Sequence, residues 1–328
     1  MGNKRVLSGI RATGRLHLGN YLGAVKGMVA LQENPDYETL YMVADLHSIN
    51  TPYDPKEFQK NVHEVVLDYL SAGIDPQKST LFIQSSVPEH IELSYLFSSV
   101  LTVARMLHLP TYKDKIKENS ENANMAMLYY PVLMASDILI YKANMIPVGD
   151  DQLPHLEVTR EVARKMNDRF GTDFPEPLQY KTEGHNLPSL TGEGKMSKSV
   201  EGSYINLTDD LAAIKEKLAK VPTDIGKGNE VPKDGGVFVL LALVELFESL
   251  DRRKEYERMY QGSGIKYQKM KNELAEVIYN QLIPIQEKRK ELETKPDYIE
   301  KIIGEGAEKA RKIAGQTVRE VKEKMGLL

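Results

Sequence analysis

The stretch "GRLHLGNYLGAV", residues 14–25, stands where the first buried strand, "KRVLSGI" (4–10), passes into the first helix. A strand that leads through a glycine-containing loop into a helix forms an anion site, because free backbone amides and the positive end of the helix dipole face one point. His17 and Asn20 would donate hydrogen bonds to phosphate oxygens there, and Gly19 would let a flat ring lie against the backbone. The alternative is an ordinary helix start with an incidental histidine, because short glycine and histidine motifs are weak signals.

Strands and helices alternate along the first half of the chain. The segments "TLYMVADLHSI" (39–49) and "STLFIQSSV" (79–87) are typical of buried strands, and "NMIPVGDD" (144–151) is a brief further strand signal. Asp54 as an N-cap, followed by Pro55, predicts a helix between the first two. This alternation predicts an α/β fold with a Rossmann-like parallel sheet wrapped by helices on both faces.

Two intervals depart from that alternation. The pattern is mostly helical from about residue 90 to residue 130, which predicts a helical insertion into a sheet domain spanning residues 1–205. From residue 206 to residue 328 the pattern is helical throughout, so we expect an all-helical second domain. Thr208, Asp209 and Asp210 are candidate caps for its first helix.

Composition excludes several classes of protein. The 328 residues are 41% hydrophobic and 27% charged, as in globular proteins, and they contain neither an apolar run long enough to span a membrane nor a secretory signal. The absence of cysteine excludes disulfides, thiolate zinc sites and iron–sulfur clusters. A net charge of −4 argues against a chain that coats nucleic acid indiscriminately. We therefore expect a cytoplasmic protein that binds neither membrane nor DNA.

A second motif points to phosphate chemistry. The segment "GEGKMSKS" (192–199) places Lys195 and Lys198 in a stretch rich in glycine and serine. Two ammonium groups on such a loop suit the charge that develops on a leaving pyrophosphate. The alternative is a solvated surface loop.

The two motifs together, "HLGN" (17–20) and "KMSKS" (195–199), resemble the signature pair of the class I aminoacyl-tRNA synthetases. The resemblance extends over essentially the whole chain and is to the subclass that contains the tryptophanyl and tyrosyl enzymes. It implies ATP as a substrate, with Mg²⁺ carried by the ATP phosphates, and tRNA as the acceptor. It further implies that the helical second domain reads the anticodon and that the insertion forms a homodimer surface.

The resemblance also implies which residues act on ATP. Those expected to take part in the reaction are His17, Asn20, Lys195, Lys198 and Lys115. The expected ATP contacts are Arg11, Ala12, Thr13, His17, Gly19, Asn20, Gly149, Asp150, Asp151, Leu187, Lys195, Met196, Ser197, Lys198 and Ser199.

A family element of the form GxDQ matches Gly149 to Gln152. By this resemblance Asp151 would contact the ribose hydroxyls and Gln152 would meet the polar end of the amino acid. The two adjacent aspartates also suggest a metal site, but Mg²⁺ is better held by ATP phosphates. Related enzymes often carry glutamine at the position of Arg11, which leaves the role of Arg11 open.

The stretch "YYPVLMASDILIY" (129–141) bears on which amino acid is activated. Pro131 is predicted to begin a helix that places Met134 and Asp137 on one face, with Tyr130 near its start. A carboxylate beside a thioether suits indole, which offers a large flat hydrocarbon surface and a single N–H donor. Tyrosyl members of the family tend to carry glutamine where Met134 stands, so the resemblance favours L-tryptophan and tRNA(Trp). The alternative is a helix whose aspartate faces water.

The expected tryptophan contacts complete the predicted site. They are Leu7, His47, Tyr130, Met134, Asp137, Val148 and Gln152. The expected reaction is attack of the tryptophan carboxylate on the α-phosphorus of ATP, followed by transfer to the terminal adenosine of the tRNA.

Three other interpretations stay open at this point. The first is a tyrosyl enzyme of the same subclass. The second is a nucleotidyltransferase with a related histidine loop that makes a coenzyme precursor, although such chains are usually shorter and lack a long helical C-terminal half. The third is a non-catalytic RNA-binding relative, against which the completeness of all three motifs argues.

Overall fold

A computed structural model represents the chain. The residues that it describes are 4–110, 112–113, 116, 124–181, 187–198 and 200–328. Lys115, expected to take part in the reaction, and Ser199, expected to contact ATP, lie outside these residues. In the described part of the chain, no helix combines the length and the apolar character needed to cross a membrane.

A parallel sheet forms the centre of the first half. Its strands are β1 (Lys4–Arg11), β2 (Tyr37–Ala44), β3 (Ser79–Ile83), β4 (Met145–Pro147) and β5 (Leu178–Tyr180). They lie in the order β3-β2-β1-β4-β5, and every neighbouring pair is parallel. The chain therefore winds outward from β1 to β3 and then returns to the other side of β1. Such a reversal opens a crevice at the carboxyl ends of β1 and β4, and the predicted α/β class is confirmed.

Strand burial follows from the helices on both faces of the sheet. Residues 40–44 of β2 are all buried, so this strand is a continuous apolar run and not an alternating one. It ends at Ala44, before the end of the predicted segment, and a turn of 3₁₀ helix at Ser48–Asn50 follows. Strand β5 was not predicted, because its three residues form no apolar run.

Helices surround the sheet and make up the second half of the chain. They are α1 (Leu18–Asn20), α2 (Lys26–Gln32), α3 (Pro55–Ser71), α4 (Glu89–Ser98), α5 (Val103–Leu107), α6 (Met125–Ile140), α7 (Leu153–Phe170), α8 (Leu211–Ala219), α9 (Gly235–Phe247), α10 (Leu250–Gln261), α11 (Tyr267–Glu293) and α12 (Pro296–Lys324). A π-helical segment, Tyr21–Val25, joins α1 to α2.

Helix starts show where local signals suffice. Helix α3 begins as predicted, with the Asp54 carboxylate accepting a hydrogen bond from the Lys56 amide at 2.9 Å. The prediction that Pro131 begins a helix is wrong, because α6 begins earlier and Pro131 lies inside it. Asn124 is its N-cap and accepts from the Met127 amide at 2.9 Å, which stabilises the start of the helix.

Helices of the second half of the chain pack against the first half. Helix α11 packs against α3 and α8, and α12 packs across β3 and α4. A Cβ atom at Gly306 of α12 would overlap the carbonyl oxygen of Leu81 in β3, so only glycine permits this crossing. Arg311 of α12 also donates to the carbonyl of Ser86 at 2.6 Å. The division into domains at residues 205 and 206 stays a prediction.

Candidate active site

A cavity of about 790 Å³ lies at the switch point between β1 and β4. This volume is within the usual range for a small-molecule site. Its walls come from β1, from the start of the helix after β1, from α6, and from β4 with the loop that follows. The predicted site residues that line it are Leu7, Arg11, Gly19, Asn20, His47, Tyr130, Met134, Asp137, Val148, Gly149, Asp150, Asp151 and Gln152.

A second group of predicted residues does not line the cavity. These residues are Ala12, Thr13, His17, Leu187, Lys195, Met196, Ser197 and Lys198. Ala12, at the end of β1, is buried, and its amide donates to the Ser48 hydroxyl at 2.7 Å. The backbone contacts that fix Thr13 and the "KMSKS" segment are given below.

His17 and Asn20 cap helix α1 reciprocally. The Asn20 amide donates to His17 Nδ1 at 3.3 Å, and the His17 amide donates to Asn20 Oδ1 at 3.2 Å. Burial and the charge of Lys198 lower the pKa of His17 to about 4, so the ring is neutral at pH 7. Because Nδ1 accepts, the neutral ring carries its proton on Nε2, which makes that atom a donor. A Cβ at Gly19 would lie 2.8 Å from the Cε1 atom of His17, so the glycine permits this close packing.

The two lysines of the "KMSKS" segment have protein partners. Lys195 is exposed, and its Nζ lies 3.9 Å from Asp151 Oδ1. Lys198 donates from Nζ to the carbonyl oxygen of Thr13 at 3.1 Å. Burial lowers the pKa of Lys198 to about 8, although two nearby carboxylates oppose that shift. Lys198 therefore contacts the loop between β1 and α2 that carries His17 and Asn20 (residues 12–20, named the phosphate loop after its predicted role), while Lys195 contacts the loop after β4.

The backbone between these lysines is anchored. Met196 is buried, and its amide donates to the carbonyl of Leu187 at 3.0 Å. The Ser197 amide donates to the Ser203 hydroxyl at 3.3 Å. Leu187 and Met196 thus fix the segment within the core, which accounts for their burial without a ligand.

The loop after β4 forms one end of the cavity. Gly149 precedes a turn of 3₁₀ helix that carries Asp150 and Asp151. The Gln179 side chain donates to Asp150 Oδ1 at 2.9 Å, and Lys181 Nζ lies 3.8 Å from the same oxygen. This hydrogen bond and the Lys181 charge lower the pKa of Asp150. Gln179 and Lys181 line the cavity but were not predicted, because β5 and its flank gave no strand signal.

Asp137 lies at the other end, fully buried, with three donors around its carboxylate. His47 Nε2 lies 2.7 Å from Oδ2. His90 Nδ1 and the Gln84 side-chain amide lie 2.6 and 2.8 Å from Oδ1. The Gln84 amide is oriented because its oxygen accepts from the Leu46 amide at 3.1 Å.

A buried chain of polar groups supports this carboxylate. His90 donates from Nδ1 to Asp137, and its Nε2 lies 2.6 Å from the Tyr141 hydroxyl, which donates to it. Burial by itself would raise the pKa of Asp137, but the charge and hydrogen bond of His47 and the hydrogen bond of His90 lower it below its usual range. Asp137 is therefore an ionised acceptor at pH 7.

Apolar side chains also line the cavity. They are Leu7, Met42, Met134, Ile146 and Val148, and Met134 lies three residues before Asp137 on α6. The expected role of Leu7, Met134, Val148 and Asp137 as tryptophan contacts stays a prediction.

Three supporting residues of Asp137 were missed in the sequence. Gln84, His90 and Tyr141 carry no motif, and the first two lie 53 and 47 residues from Asp137 along the chain. The carboxyl end of β3 was the one available signal, since Gln84 directly follows that strand. Among the described residues, no group of three or more histidine or carboxylate side chains is arranged to hold a metal ion.

Comparison with known proteins identifies a family. The family model for class I tRNA synthetases (W and Y) matches residues 2–282. A tryptophan–tRNA ligase from Helicobacter pylori is 41% identical over 333 residues, which cover 100% of both chains. A tryptophan–tRNA ligase from Rickettsia conorii is 40% identical over 336 residues, which cover 99% of both.

Solved structures agree with the sequence matches. A tryptophanyl-tRNA synthetase from Campylobacter jejuni, complexed with ADP and tryptophan, superposes with a TM-score of 0.85 at 33% identity, covering 98% of this chain and 99% of that one. The enzyme from Mycoplasma pneumoniae gives a TM-score of 0.83 at 30% identity, covering 99% of this chain and 98% of that one. The resemblance drawn from "HLGN" and "KMSKS" is confirmed, and the nucleotidyltransferase interpretation is wrong. The chain belongs to the class I tRNA synthetases of the W and Y type.

Proposed function

We propose that this chain is a tryptophan–tRNA ligase, which joins L-tryptophan to tRNA(Trp) through a tryptophanyl-adenylate and releases pyrophosphate and then AMP. The observation that carries this proposal is Asp137, a buried carboxylate in a cavity that apolar side chains and the phosphate-loop residues Gly19 and Asn20 also line. Curated relatives of that name are 40–41% identical along their whole length. A similar structure is complexed with ADP and tryptophan.

The hydrogen-bond count at Asp137 favours indole. An ionised carboxylate has about four acceptor positions. Three are taken by His47, His90 and Gln84, and Asp137 is still among the residues that line the cavity. One acceptor position is left for a ligand, which matches the single N–H of indole.

The same count explains rejection of phenylalanine. A ligand without a donor would leave one position of a buried carboxylate unpaired, and sites of this kind discriminate by roughly 10⁴-fold or more. Tyrosine carries a hydroxyl that both donates and accepts. The thioether of Met134 and the aliphatic walls offer no partner for its accepting side, so these residues favour tryptophan.

In the activation step, the tryptophan carboxylate attacks the α-phosphorus of ATP and pyrophosphate leaves. Both reactants carry the groups that the step requires, so the protein acts by positioning and by charge. The Nε2–H of His17 and the ammonium groups of Lys195 and Lys198 would stabilise phosphate charge. To do so, Lys195 must leave Asp151 and Lys198 must leave the Thr13 carbonyl. A displacement of the 195–198 segment, with rotation of the helical half, would gate this step.

The other ATP contacts are proposals of the same kind. Arg11, Gly19, Asn20 and the 149–151 loop line the cavity beside the phosphate loop, which suits contact with ATP. Mg²⁺ would be bound by the ATP phosphates and would shield the leaving pyrophosphate. Lys115 and Ser199, outside the described residues, stay predictions.

Exposed apolar side chains on the predicted insertion support a homodimer. Five of them are 43–75% exposed. These side chains are Ile91, Tyr95, Val103, Leu107 and Met125. Apolar groups concentrated on one short part of a chain commonly mark a protein interface. We further propose that residues 206–328 read the anticodon of tRNA(Trp) and that the enzyme is cytoplasmic, where its tRNA substrate is charged.

The test is the exchange of pyrophosphate into ATP with each amino acid in turn. Tryptophan should support exchange, while tyrosine and phenylalanine should do so at least about 10³-fold less well in kcat/KM. The chain contains no tryptophan, so binding can be followed separately. When the protein is excited at the red edge of tyrosine absorption, it emits almost no fluorescence of its own, so the emission comes from the added tryptophan. Exchange with tyrosine alone, or no retention of tryptophan in equilibrium dialysis, would overturn the proposal.

A further inference from the structure

Arg289 of α11 is a buried cation whose partners come from the other half of the chain. Its side chain is 4% exposed. Its Nη2 lies 2.6 Å from Glu64 Oε2, and its Nη1 pairs with Asp68, a fully buried residue; both acids belong to α3. Its Nε lies 3.0 Å from Glu293 of its own helix. A buried arginine with this many acceptors is a structural junction between α11 and α3.

The two α3 carboxylates also hold the residues before His17. Asp68 Oδ2 accepts from the Leu16 amide at 2.5 Å, while Glu64 Oε2 accepts from Arg15 Nε at 2.8 Å. The contacts from Arg289 through Asp68 thus end on the backbone amide of Leu16, the residue directly before His17.

Helix α11 reaches the same residue, Leu16, by a second route. The Gln286 side chain donates to the carbonyls of Leu207 and Asp209, both at 2.9 Å. The Leu207 amide in turn donates to the Leu16 carbonyl at 3.0 Å. Both polar groups of Leu16 are therefore held by partners that α11 orients.

Removal of Arg289 would weaken the contacts to Leu16 because it would change the charge environment of Asp68. Burial raises the pKa of the Asp68 carboxyl, and the positive charge of Arg289 opposes that rise. Without the guanidinium, the buried carboxylate would have to accept a proton or move toward water. Either change weakens the hydrogen bond from the Leu16 amide. Asp68 and Glu64 also act on Lys198, whose pKa they raise against the effect of burial.

We propose that Arg289 is a positioning residue for the ATP end of the site: through Asp68 and Glu64 it fixes the loop that carries His17, and so it ties that loop to the helical half of the chain. This inference rests on the proposed function. The hydrogen bonds of Asp68 and Glu64 involve none of the residues that donate to Asp137, which are His47, Gln84 and His90. The residue should therefore affect ATP and not tryptophan.

The experiment compares Arg289→Met with a matched control on the same helix. Lys271 is also a buried cation of α11, 7% exposed, and its Nζ donates to the carbonyls of Ala219 and Val221 at 3.0 and 2.7 Å. Lys271→Met removes a buried charge without touching the His17 loop. Pyrophosphate exchange gives KM for ATP and kcat, and the fluorescence of added tryptophan gives its Kd.

For Arg289→Met we expect kcat/KM for ATP to fall at least tenfold while the tryptophan Kd changes less than twofold. Lys271→Met should leave kcat/KM for ATP within twofold of the unmodified protein, whatever it does to thermal stability. Arg289→Lys keeps the charge but not the forked donor set, so it should restore part of the loss.

A failure to fold would not end the test. If Arg289→Met is unfolded, Arg289→Lys and Asp68→Asn take its place, and each should still lower kcat/KM for ATP at an unchanged tryptophan Kd. An equal loss in Lys271→Met, or a parallel loss of tryptophan affinity in the Arg289 variants, would overturn the positioning role. Absence of tryptophan-dependent exchange in the unmodified protein would instead overturn the proposed function.

Discussion

The two ends of the cavity differ in how completely the protein has arranged them. At the Asp137 end, His47, His90 and Gln84 already donate to the carboxylate, and one acceptor position is left. At the phosphate end, Lys195 contacts Asp151, which lines the cavity, and Lys198 contacts the Thr13 carbonyl, while neither lysine itself lines the cavity.

This difference separates recognition from catalysis. A site whose hydrogen bonds are already formed loses little entropy when its ligand binds, which favours specificity. If the lysines of the 195–198 segment must first leave their protein partners, they can stabilise phosphate charge only after the segment has moved. We expect substitutions at one end to alter tryptophan binding and substitutions at the other to alter the chemical step.

The substitution with the largest expected effect, Asp137→Asn, tests whether the Asp137 end controls tryptophan binding. The amide would present N–H groups toward donors and would lose the acceptor position for indole, so kcat/KM for tryptophan should fall by about 10³-fold or more. Asp150→Asn, at the opposite end, should instead raise KM for ATP and leave tryptophan affinity within twofold. Pyrophosphate exchange and tryptophan fluorescence measure both. Normal tryptophan affinity in Asp137→Asn would contradict the assignment.

Lys195→Ala tests the other end. Loss of one ammonium group from the developing pyrophosphate should slow adenylate formation more than tenfold, while tryptophan affinity changes little. Rapid-quench measurement of adenylate gives the rate. Lys215→Ala removes an exposed lysine that pairs with Glu276 and serves as the control. Exchange at the normal rate in the Lys195 variant would remove this lysine from the mechanism.

His90→Gln asks how far the arrangement around Asp137 depends on residues outside the cavity. His90 is fully buried and joins Asp137 to Tyr141, so its loss removes one hydrogen bond to an ionised group. A bond of that kind contributes about 1.5 kcal/mol or more, so the tryptophan Kd should rise about tenfold. Tyr141→Phe keeps the ring and should raise the Kd less. An unchanged Kd with His90→Gln would assign the histidine to packing alone.

The smallest expected effect is a pH dependence confined to the phosphate end. The pKa of Lys198 is lowered to about 8, so its ammonium is charged below that pH and is neutralised above it. Between about pH 7 and about pH 9, kcat/KM for ATP should therefore fall severalfold. Tryptophan affinity should show no matching fall, because Asp137 stays ionised over that range. Lys198→Arg keeps its charge and should abolish the fall, whereas the same fall in that variant would assign it to another group.

The parts of the site that the sequence predicted share one property: each is local. "HLGN" and "KMSKS" are continuous segments, and Met134 and Asp137 are separated by less than one helical turn. The incorrect prediction of where α6 begins did not affect Met134 and Asp137, because residues three apart lie on one face of a helix wherever it begins. The Asp54 cap of α3 was predicted for the same reason.

The residues that were missed are distant in the chain. Gln84 and His90 lie 53 and 47 residues from Asp137, and Arg289 lies 221 residues from Asp68. No period or spacing connects such residues in a single sequence. Strand β5 was missed because its three residues are too few to show a pattern, although Gln179 and Lys181 reach the cavity from it.

The sequence by itself determined the α/β class, the presence of the "HLGN" and "KMSKS" segments and the spacing of Met134 and Asp137, because these follow from short-range patterns; the roles of these residues in binding stay predictions. Only the tertiary structure decided how many donors surround Asp137, which partners hold Lys195 and Lys198, and how α11 reaches Leu16. Those facts depend on packing between distant segments, since burial sets both the charge state of each group and the number of partners that it can find.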